Sequence, residues 1–182
     1  TNGGVTLGAL AIADEQPALA RTVVHQALQR VPPAMAHYAP DGGWPEGVSY
    51  WEYATEYAGY LVAGLDTALG TDFGLTTLPG FATTGDVPVQ LTGPTGQRFN
   101  WADDGEPRYA PSVPFLFWTA ERFGRPQDRT YQLAHIEPHA LDVVWYRPSA
   151  SPVSPAPLDR LFGGIDVTSM RQAWDDPASW WV

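Results

Sequence analysis

Tryptophan, tyrosine and acidic side chains are concentrated in residues 41–60, which have the sequence DGGWPEGVSYWEYATEYAGY. Flat aromatic faces can stack against the apolar face of a sugar ring, while a neighbouring carboxylate can bind its hydroxyl groups. Tyrosine also carries a hydroxyl that needs a partner when buried, so Leu or Phe would be simpler choices for residues that only fill a core. This composition predicts a carbohydrate-binding site formed by Trp44, Glu46, Tyr50, Trp51 and Tyr53.

A helix that begins near Glu46 is expected to position these side chains. The Asp-Gly-Gly sequence at 41–43 is a turn signal, and Pro45 suits the first turn of a helix. The predicted helix covers residues 46–69, Gly70 ends it, and helical spacing gives it an aromatic stripe at Tyr50, Tyr53, Tyr57 and Tyr60. Aromatic stripes are more often core than cleft. We therefore assign Tyr57 and Tyr60 to the core and the earlier end to the site.

Glu46 and Tyr50 are four residues apart, which would place them on one face of a helical turn. The carboxylate could orient the phenol or accept its hydrogen bond, although such a pair is equally common as a structural contact. A tyrosine acts as a general base only when its pKa falls from about 10, which requires a nearby cation. The arginines that could supply this charge through space are Arg98, Arg108 and Arg171.

Asn2 is a candidate ligand for a substrate carboxylate. It precedes Gly3, Gly4 and an apolar stretch predicted to be helical over residues 5–13. The commonest role of Asn at such a place is to cap the helix. An amide at the mouth of a helix could also bind an anionic group.

A second polar cluster lies at residues 100–105, NWADDG. Trp101, Asp103 and Asp104 could bind hydroxyl groups or Ca²⁺. Loops rich in Asn and Asp usually hydrogen-bond their own backbone, however, and EF-hand spacing is absent from the sequence. We expect a structural loop that borders the cleft.

Charge and composition argue against several classes of function. The net charge is −10, and all 10 basic residues are arginine. Nucleic acids and anionic membranes are bound through basic surfaces, which this composition does not favour. The sequence has no cysteine, no metal motif among its histidines (25, 37, 135 and 139) and no glycine loop for a nucleotide. We therefore predict no metal, no cofactor, no nucleic-acid partner and no membrane insertion.

The remaining pattern predicts a mainly α fold. Helices are expected over residues 5–13, 15–38, 46–69, 113–123, 128–137 and 140–146, and the first three form stacked antiparallel hairpins. Pro32 and Pro33 are expected to kink the second helix. A β-hairpin is predicted from strands 87–91 and 97–101, and further strands at 161–162, 165–170 and 180–182. The predicted units are a helical domain over 1–147, a Pro/Ser-rich linker over 148–160, and the start of an all-β domain at 161–182.

Both ends of the sequence read as cut. The chain opens without Met on an apolar helical pattern and closes on an apolar run. We therefore interpret it as a fragment of a longer protein.

Four blocks, in order along the chain, resemble the heparinase II/III-like family: TNGGVTLGALAIADEQPALA, DGGWPEGVSYWEYATEY, LTGPTGQRFNWADDG and MRQAWDDPASWWV. The second block is the most specific. The resemblance implies an incomplete (α/α) toroid followed by a β-sandwich domain. It also implies a periplasmic or secreted polysaccharide lyase that acts on uronate-containing glycans.

The resemblance also implies roles for individual residues. In such lyases an Asn, often followed by His, neutralises the uronate carboxylate, and a Tyr moves the C5 proton with help from a His of the sandwich domain. Tyr50 matches this tyrosine, and Asn2 lies near the place of the neutralising Asn. The next residue is Gly3 rather than His, which departs from the pattern. Further substrate contacts are expected from Trp44, Glu46, Trp51, Tyr53, Trp101 and Arg171.

The sequence therefore predicts a fragment of a polysaccharide lyase-like protein that cleaves uronate glycans by β-elimination. Its expected partners are an acidic polysaccharide or oligosaccharide and the remainder of the parent chain. Alone, the chain is expected to be inactive and prone to association, because apolar faces at residues 5–13 and 180–182 would lack cover. Two alternatives remain. One is a toroidal glycoside hydrolase that uses Glu46 with Asp103 or Asp104, and the other is a non-catalytic glycan-binding protein.

Overall fold

The computed structural model describes residues 1–105, 110–149, 153–174, 176, 178 and 180–182. The helices are α1 (Asn2–Ala11), α2 (Pro17–Met35), α3 (Val48–Leu69), α4 (Asp86–Leu91), α5 (Phe115–Arg122), α6 (Pro126–Ala134) and α7 (Ala140–Trp145). Short 3₁₀ turns cover Ala36–Tyr38, Leu75–Thr77 and Phe81–Thr83. Strands β1 (Arg160–Phe162), β2 (Val167–Arg171) and β3 (Trp180–Trp181) form one antiparallel sheet in the order β1-β2-β3. The predicted mainly α class is confirmed.

Proline and glycine set several helix ends. Pro17 is the first residue of α2, where its fixed φ favours the helix and no backbone donor is lost. Pro32 and Pro33 lie inside the same helix, close to its end at Met35. Gly70 follows α3 in the left-handed conformation with φ of 71°, as predicted for its role as C-cap.

The starts of α1 and α3 differ from the prediction. Asn2 is the first residue of α1, and Thr1 rather than Asn2 is the N-cap. Helix α3 starts at Val48, and its N-cap is Gly47 with φ of 92°. Pro45 and Glu46 therefore precede the helix. The prediction that Glu46 and Tyr50 share one face of a helical turn is therefore wrong.

Helices α1 and α3 run parallel and in close contact. A Cβ atom on Gly3 would lie 2.2 Å from the Tyr57 carbonyl oxygen, and one on Gly64 would lie 2.4 Å from Cδ2 of Leu7. Because the contacts advance along both helices in the same direction, the two axes are parallel. The start of α1 shares a small cavity with the last turns of α2, so α2 runs back antiparallel to α1.

The predicted strand at 87–91 is wrong, because these residues form helix α4. Every residue from Asp86 to Leu91 is buried. Because this helix has no exposed polar face, its apolar pattern does not distinguish a helix from a strand. Pro88 lies in the first turn, where its missing N–H costs no helical hydrogen bond. Only the tight turn of the expected hairpin remains, with a bridge between Thr92 and Arg98 and a 2.7 Å hydrogen bond from the Gly93 N–H to the Gln97 carbonyl.

The three C-terminal strands lie close to their predicted positions and pack on the helices. Phe162 is fully buried in the same hydrophobic cluster as Trp51 and Val87. The Ser169 hydroxyl is 3.0 Å from the Gln90 side-chain oxygen, and an Arg171 Nη2 donates to the Gln90 carbonyl at 2.7 Å. Residues 153–159 connect α7 to β1 without regular structure. The boundary between two domains in this stretch stays a prediction.

Candidate functional site

The first two turns of α3 form an exposed aromatic surface that α1 does not cover. Gly3, at the start of α1, meets α3 at Tyr57. Tyr50 lies seven residues before Tyr57, which is about 10 Å along a helix. Tyr50 is 42% exposed and Tyr53 is 60% exposed. We call the surface formed by these two tyrosines the α3 ledge.

Tyr57 and Tyr60 continue the stripe along α3 and are half-buried rather than part of the predicted core. The ring centres of Tyr53 and Tyr57 are 5.1 Å apart, and those of Tyr57 and Tyr60 are 5.6 Å apart. Tyr60 also donates a hydrogen bond to the Glu56 carboxylate. Burial and this carboxylate raise the pKa of Tyr60. The inner end of the stripe is therefore half-buried structure, and the outer end is open to solvent.

A cavity of about 140 Å³ opens between α1, α2 and α3, next to the α3 ledge. Asn2 and Trp44 line it, as do Ala54 and Tyr57 of α3. The Nε1–H of Trp44 is buried and has no hydrogen-bond partner among the described residues. Buried donors are normally paired, so this N–H is an unsatisfied donor on a residue that lines the cavity. The first turn of α1 holds no acidic residue to offset its positive dipole end, which favours an anion there.

His37 lies beside Trp44, and no motif in the sequence marks it as a site residue. Its exposed ring meets Trp44 edge-on, with ring centres 6.1 Å apart. The 3₁₀ turn that extends α2 positions His37, and Tyr38 of the same turn also packs against Trp44, with ring centres 5.0 Å apart. A lone histidine after two prolines carries no motif, so the sequence could not identify it.

Trp51 belongs to the core rather than to a binding surface. Its side chain is fully buried, and its Nε1–H donates to the Thr84 hydroxyl at 2.7 Å. The Thr84 hydroxyl in turn donates to the Gly42 carbonyl at 2.9 Å. Trp51 therefore ties α3 to the loop at residues 41–43 and has no face available for a sugar. Trp44 is also largely buried, and its ring packs against His37 and Tyr38.

The loop that contains Trp101 and Asp104 caps the start of α3. Asp104 accepts hydrogen bonds from the Ser49 N–H at 3.2 Å, the Ser49 hydroxyl at 2.6 Å and an Arg98 Nη2 at 3.0 Å. Trp101 is half-buried and its Nε1–H donates to the Pro45 carbonyl at 3.0 Å. Asp104 is thus a structural acid, while Asp103 beside it and Glu46 are exposed. The expected structural role of this loop agrees with these contacts.

Glu52 is an acid near the ledge that the sequence reading did not select. Burial is the largest cause that raises its pKa to about 7, with help from Glu56, Asp104 and Glu137. Arg98, 3.9 Å away, opposes this change. The Glu52 side chain keeps 34% of its surface exposed, so it can exchange a proton with solvent near neutral pH. The only sequence signal was its place one turn before Glu56 on the same helix.

The arginines expected to activate Tyr50 lie elsewhere or outside the described residues. Arg98 is committed to Asp104, and Arg108 lies outside the residues that the structure describes. Arg171 lines a different cavity, which shares no lining residue with the cavity at Asn2 and Trp44. Of the predicted site residues, Asn2 and Trp44 line one cavity, Tyr50 and Tyr53 lie on the α3 ledge, and Trp101 and Glu46 lie near the start of α3. The structure separates Trp51 and Arg171 from them.

The chain matches no protein-family model, and it has no significant match among curated proteins. No described helix has the length and apolar character needed to cross a bilayer. The described residues contain no group of three His, Asp or Glu side chains placed to hold a metal ion. The resemblance to heparinase II/III-like lyases therefore stays a prediction.

Proposed function

We propose that this chain forms the glycan-binding part of a polysaccharide lyase-like protein that cleaves uronate glycosidic bonds by β-elimination. The observation that carries the proposal is that the exposed Tyr50 and Tyr53 lie on the helix whose next residues, Ala54 and Tyr57, line the cavity of Asn2 and Trp44. The ledge offers aromatic surface to a sugar ring, and the cavity offers donors to its carboxylate.

The size of the cavity supports this division of roles. A volume of about 140 Å³ admits a carboxylate but is small for a whole sugar residue with its neighbours. The Asn2 amide, the Trp44 N–H and the positive end of α1 would neutralise the carboxylate. The ring would then lie over Tyr50 and Tyr53, where its apolar face meets aromatic surface.

The reaction needs two proton transfers and the cleavage of one C–O bond. A base removes the C5 proton, the electron pair forms the C4–C5 double bond, and the bond from C4 to the glycosidic oxygen breaks. That oxygen takes up a proton as it leaves. Tyr50 is the proposed carrier of this proton, and His37, whose ring lies against Trp44, is proposed to assist it.

The helix arrangement supports a toroid for the same protein. In a ring of helical hairpins, alternate helices run parallel within one layer and their connecting helices run back. Helices α1 and α3 are parallel, and α2 runs back antiparallel to α1. We propose that they are successive members of an incomplete (α/α) toroid and that β1–β3 begin a sandwich domain.

The test is ultraviolet absorbance of the unsaturated product, measured with purified protein and a panel of uronate polymers. The fragment interpretation requires the same assay on a longer protein that contains this chain. We expect Tyr50→Phe to lower kcat/KM by about 100-fold or more, since a general acid or base contributes about 10²–10⁴-fold. Tyr53→Phe is the matched control, because it removes a hydroxyl from the same ledge and should change the rate little. Retention of most activity by Tyr50→Phe would refute the assignment.

One observation favours the non-catalytic alternative. The Cβ of any residue other than glycine at position 3 would meet the Tyr57 carbonyl, so a histidine after Asn2 has no space there. Calorimetric binding of uronate oligosaccharides with no product formed would support a glycan-binding protein. The hydrolase alternative loses one of its acids, because Asp104 is occupied by Ser49 and Arg98.

A further inference from the structure

A second cavity, of about 430 Å³, lies between α4, α6 and the segment that precedes β1. This volume is in the range of small-molecule sites. Most of its wall is apolar and is formed by Val89, Pro94, Ala134, Val153, Pro155 and Ala156. Among the residues that the structure describes, no acidic side chain lines this cavity, although the chain as a whole carries a net charge of −10.

Arg171 is the charged group of this cavity, and it has no acidic partner among the described residues. The guanidinium carbon of Arg171 lies 3.8 Å from the centre of the Trp174 ring, and Arg171 is only 8% exposed. One Nη2 hydrogen bond goes to the Gln90 carbonyl, and Nε has no hydrogen-bond partner in the described part of the chain. Burial lowers the pKa of Arg171, with no carboxylate to oppose it. A buried cation without a counter-charge is unfavourable, so an anion in this cavity would stabilise the protein.

Further polar side chains line the same cavity, among them His135, Tyr131 and Thr92. His135 donates from Nδ1 to the Tyr131 carbonyl at 2.9 Å, which leaves Nε2 as the free nitrogen of the ring. The Tyr131 hydroxyl is 3.4 Å from the Thr92 hydroxyl. A few polar groups on an apolar wall are typical of a site that orients a mostly apolar ligand.

We propose that this cavity binds a small organic carboxylate with an apolar body. The carboxylate pairs with the Arg171 guanidinium, and the body packs against the apolar wall beside Trp174. A carboxylate suits a single arginine, whereas a phosphate would be expected to recruit further donors. This site is independent of the proposed lyase function, because none of its residues belongs to the ledge or to the cavity at Asn2.

The probe is 2-naphthoate, titrated into the purified chain by calorimetry, with 2-naphthamide as the neutral analogue of the same shape. We expect saturable binding of the carboxylate and affinity for the amide at least about 10-fold weaker, because a charge-assisted hydrogen bond is lost. Arg171→Met should remove this preference. Because Arg171 also contacts Gln90, circular dichroism must first show that this variant is folded.

A second pair of variants keeps the test decisive if Arg171→Met does not fold. Ala134→Phe places a ring in the cavity from an exposed position on α6. Leu133→Phe is the control, because it places a ring at the neighbouring exposed position of the same helix, which does not line the cavity. We expect the first to weaken naphthoate binding about 10-fold or more and the second to leave it unchanged. Absence of binding, equal affinity for the amide, or equal effects of the two phenylalanine variants would overturn the proposal.

Discussion

Glu52 should make the stability of this protein depend on pH near neutrality. Burial raises its pKa from 4.5 to about 7. Between these values the folded chain binds more protons than the unfolded chain, so the free energy of unfolding falls as pH rises from about 4.5 to about 7. The contribution of Glu52 to the free energy of unfolding is complete below a pH of about 4.5 and is lost above a pH of about 7. Ionised Glu52 is therefore a cost to the folded state at pH 8.

The magnitude follows from the difference between the two pKa values. At about 1.36 kcal/mol per pH unit, a change from 4.5 to about 7 corresponds to about 3.4 kcal/mol. The side chain is 34% exposed, so solvent screening reduces this figure, and we expect about 1–2 kcal/mol. Glu52→Gln imitates the protonated acid and should match the wild type at pH 4, below both pKa values. At pH 8.5 the variant should be more stable by that amount.

Urea unfolding at several pH values measures the effect, with Glu15→Gln as the control in an exposed loop. The control should follow the wild type at every pH. The reasoning is wrong if Glu52→Gln is less stable than the wild type at pH 8.5. That result would mean that attraction between Glu52 and Arg98 outweighs the cost of burying the carboxylate.

Two further predictions concern the elements that hold the ledge. Gly3→Ala should lower the free energy of unfolding by about 1–3 kcal/mol, because the new methyl group meets the Tyr57 carbonyl, whereas Gly4→Ala meets only ordinary contacts and should not destabilise the fold. Denaturant melts of the two variants give the comparison, and equal stabilities would contradict the close approach of α1 to α3. Asp104→Asn should cost about 1–3 kcal/mol, because it weakens the charged hydrogen bonds to Arg98 and Ser49. Its exposed neighbour gives the control Asp103→Asn, and a thermal melt in which the two variants behave alike would refute the role of Asp104.

Features written in local sequence were predictable. The apolar period of α2, the aromatic period of α3 and the C-cap at Gly70 depend on residues a few positions apart. The three C-terminal strands also followed from local alternation. These signals gave the correct class and most of the helices.

Features set by distant contacts were not predictable in the same way. Helix α4 is buried on all sides, so its pattern could not distinguish a helix from a strand. The start of α3 depends on Asp104, which lies 55 residues after Ser49. Which tyrosines face solvent depends on where α1 begins, and that is fixed by the close contact of Gly3 with Tyr57. The aromatic stripe was therefore recognisable, but Trp51 could not be separated from the ledge.

The cap that Asp104 provides makes the first turn of α3 a cooperative unit with a distant part of the chain. Helix ends usually fray independently, with opening free energies near zero. Here the Ser49 amide and the Arg98–Asp104 pair must open together, since one carboxylate holds both. Amide hydrogen exchange at Ser49 should therefore slow or quicken in step with exchange in the turn at residues 92–98. A ligand on the ledge would then protect amides far along the chain from its own contacts.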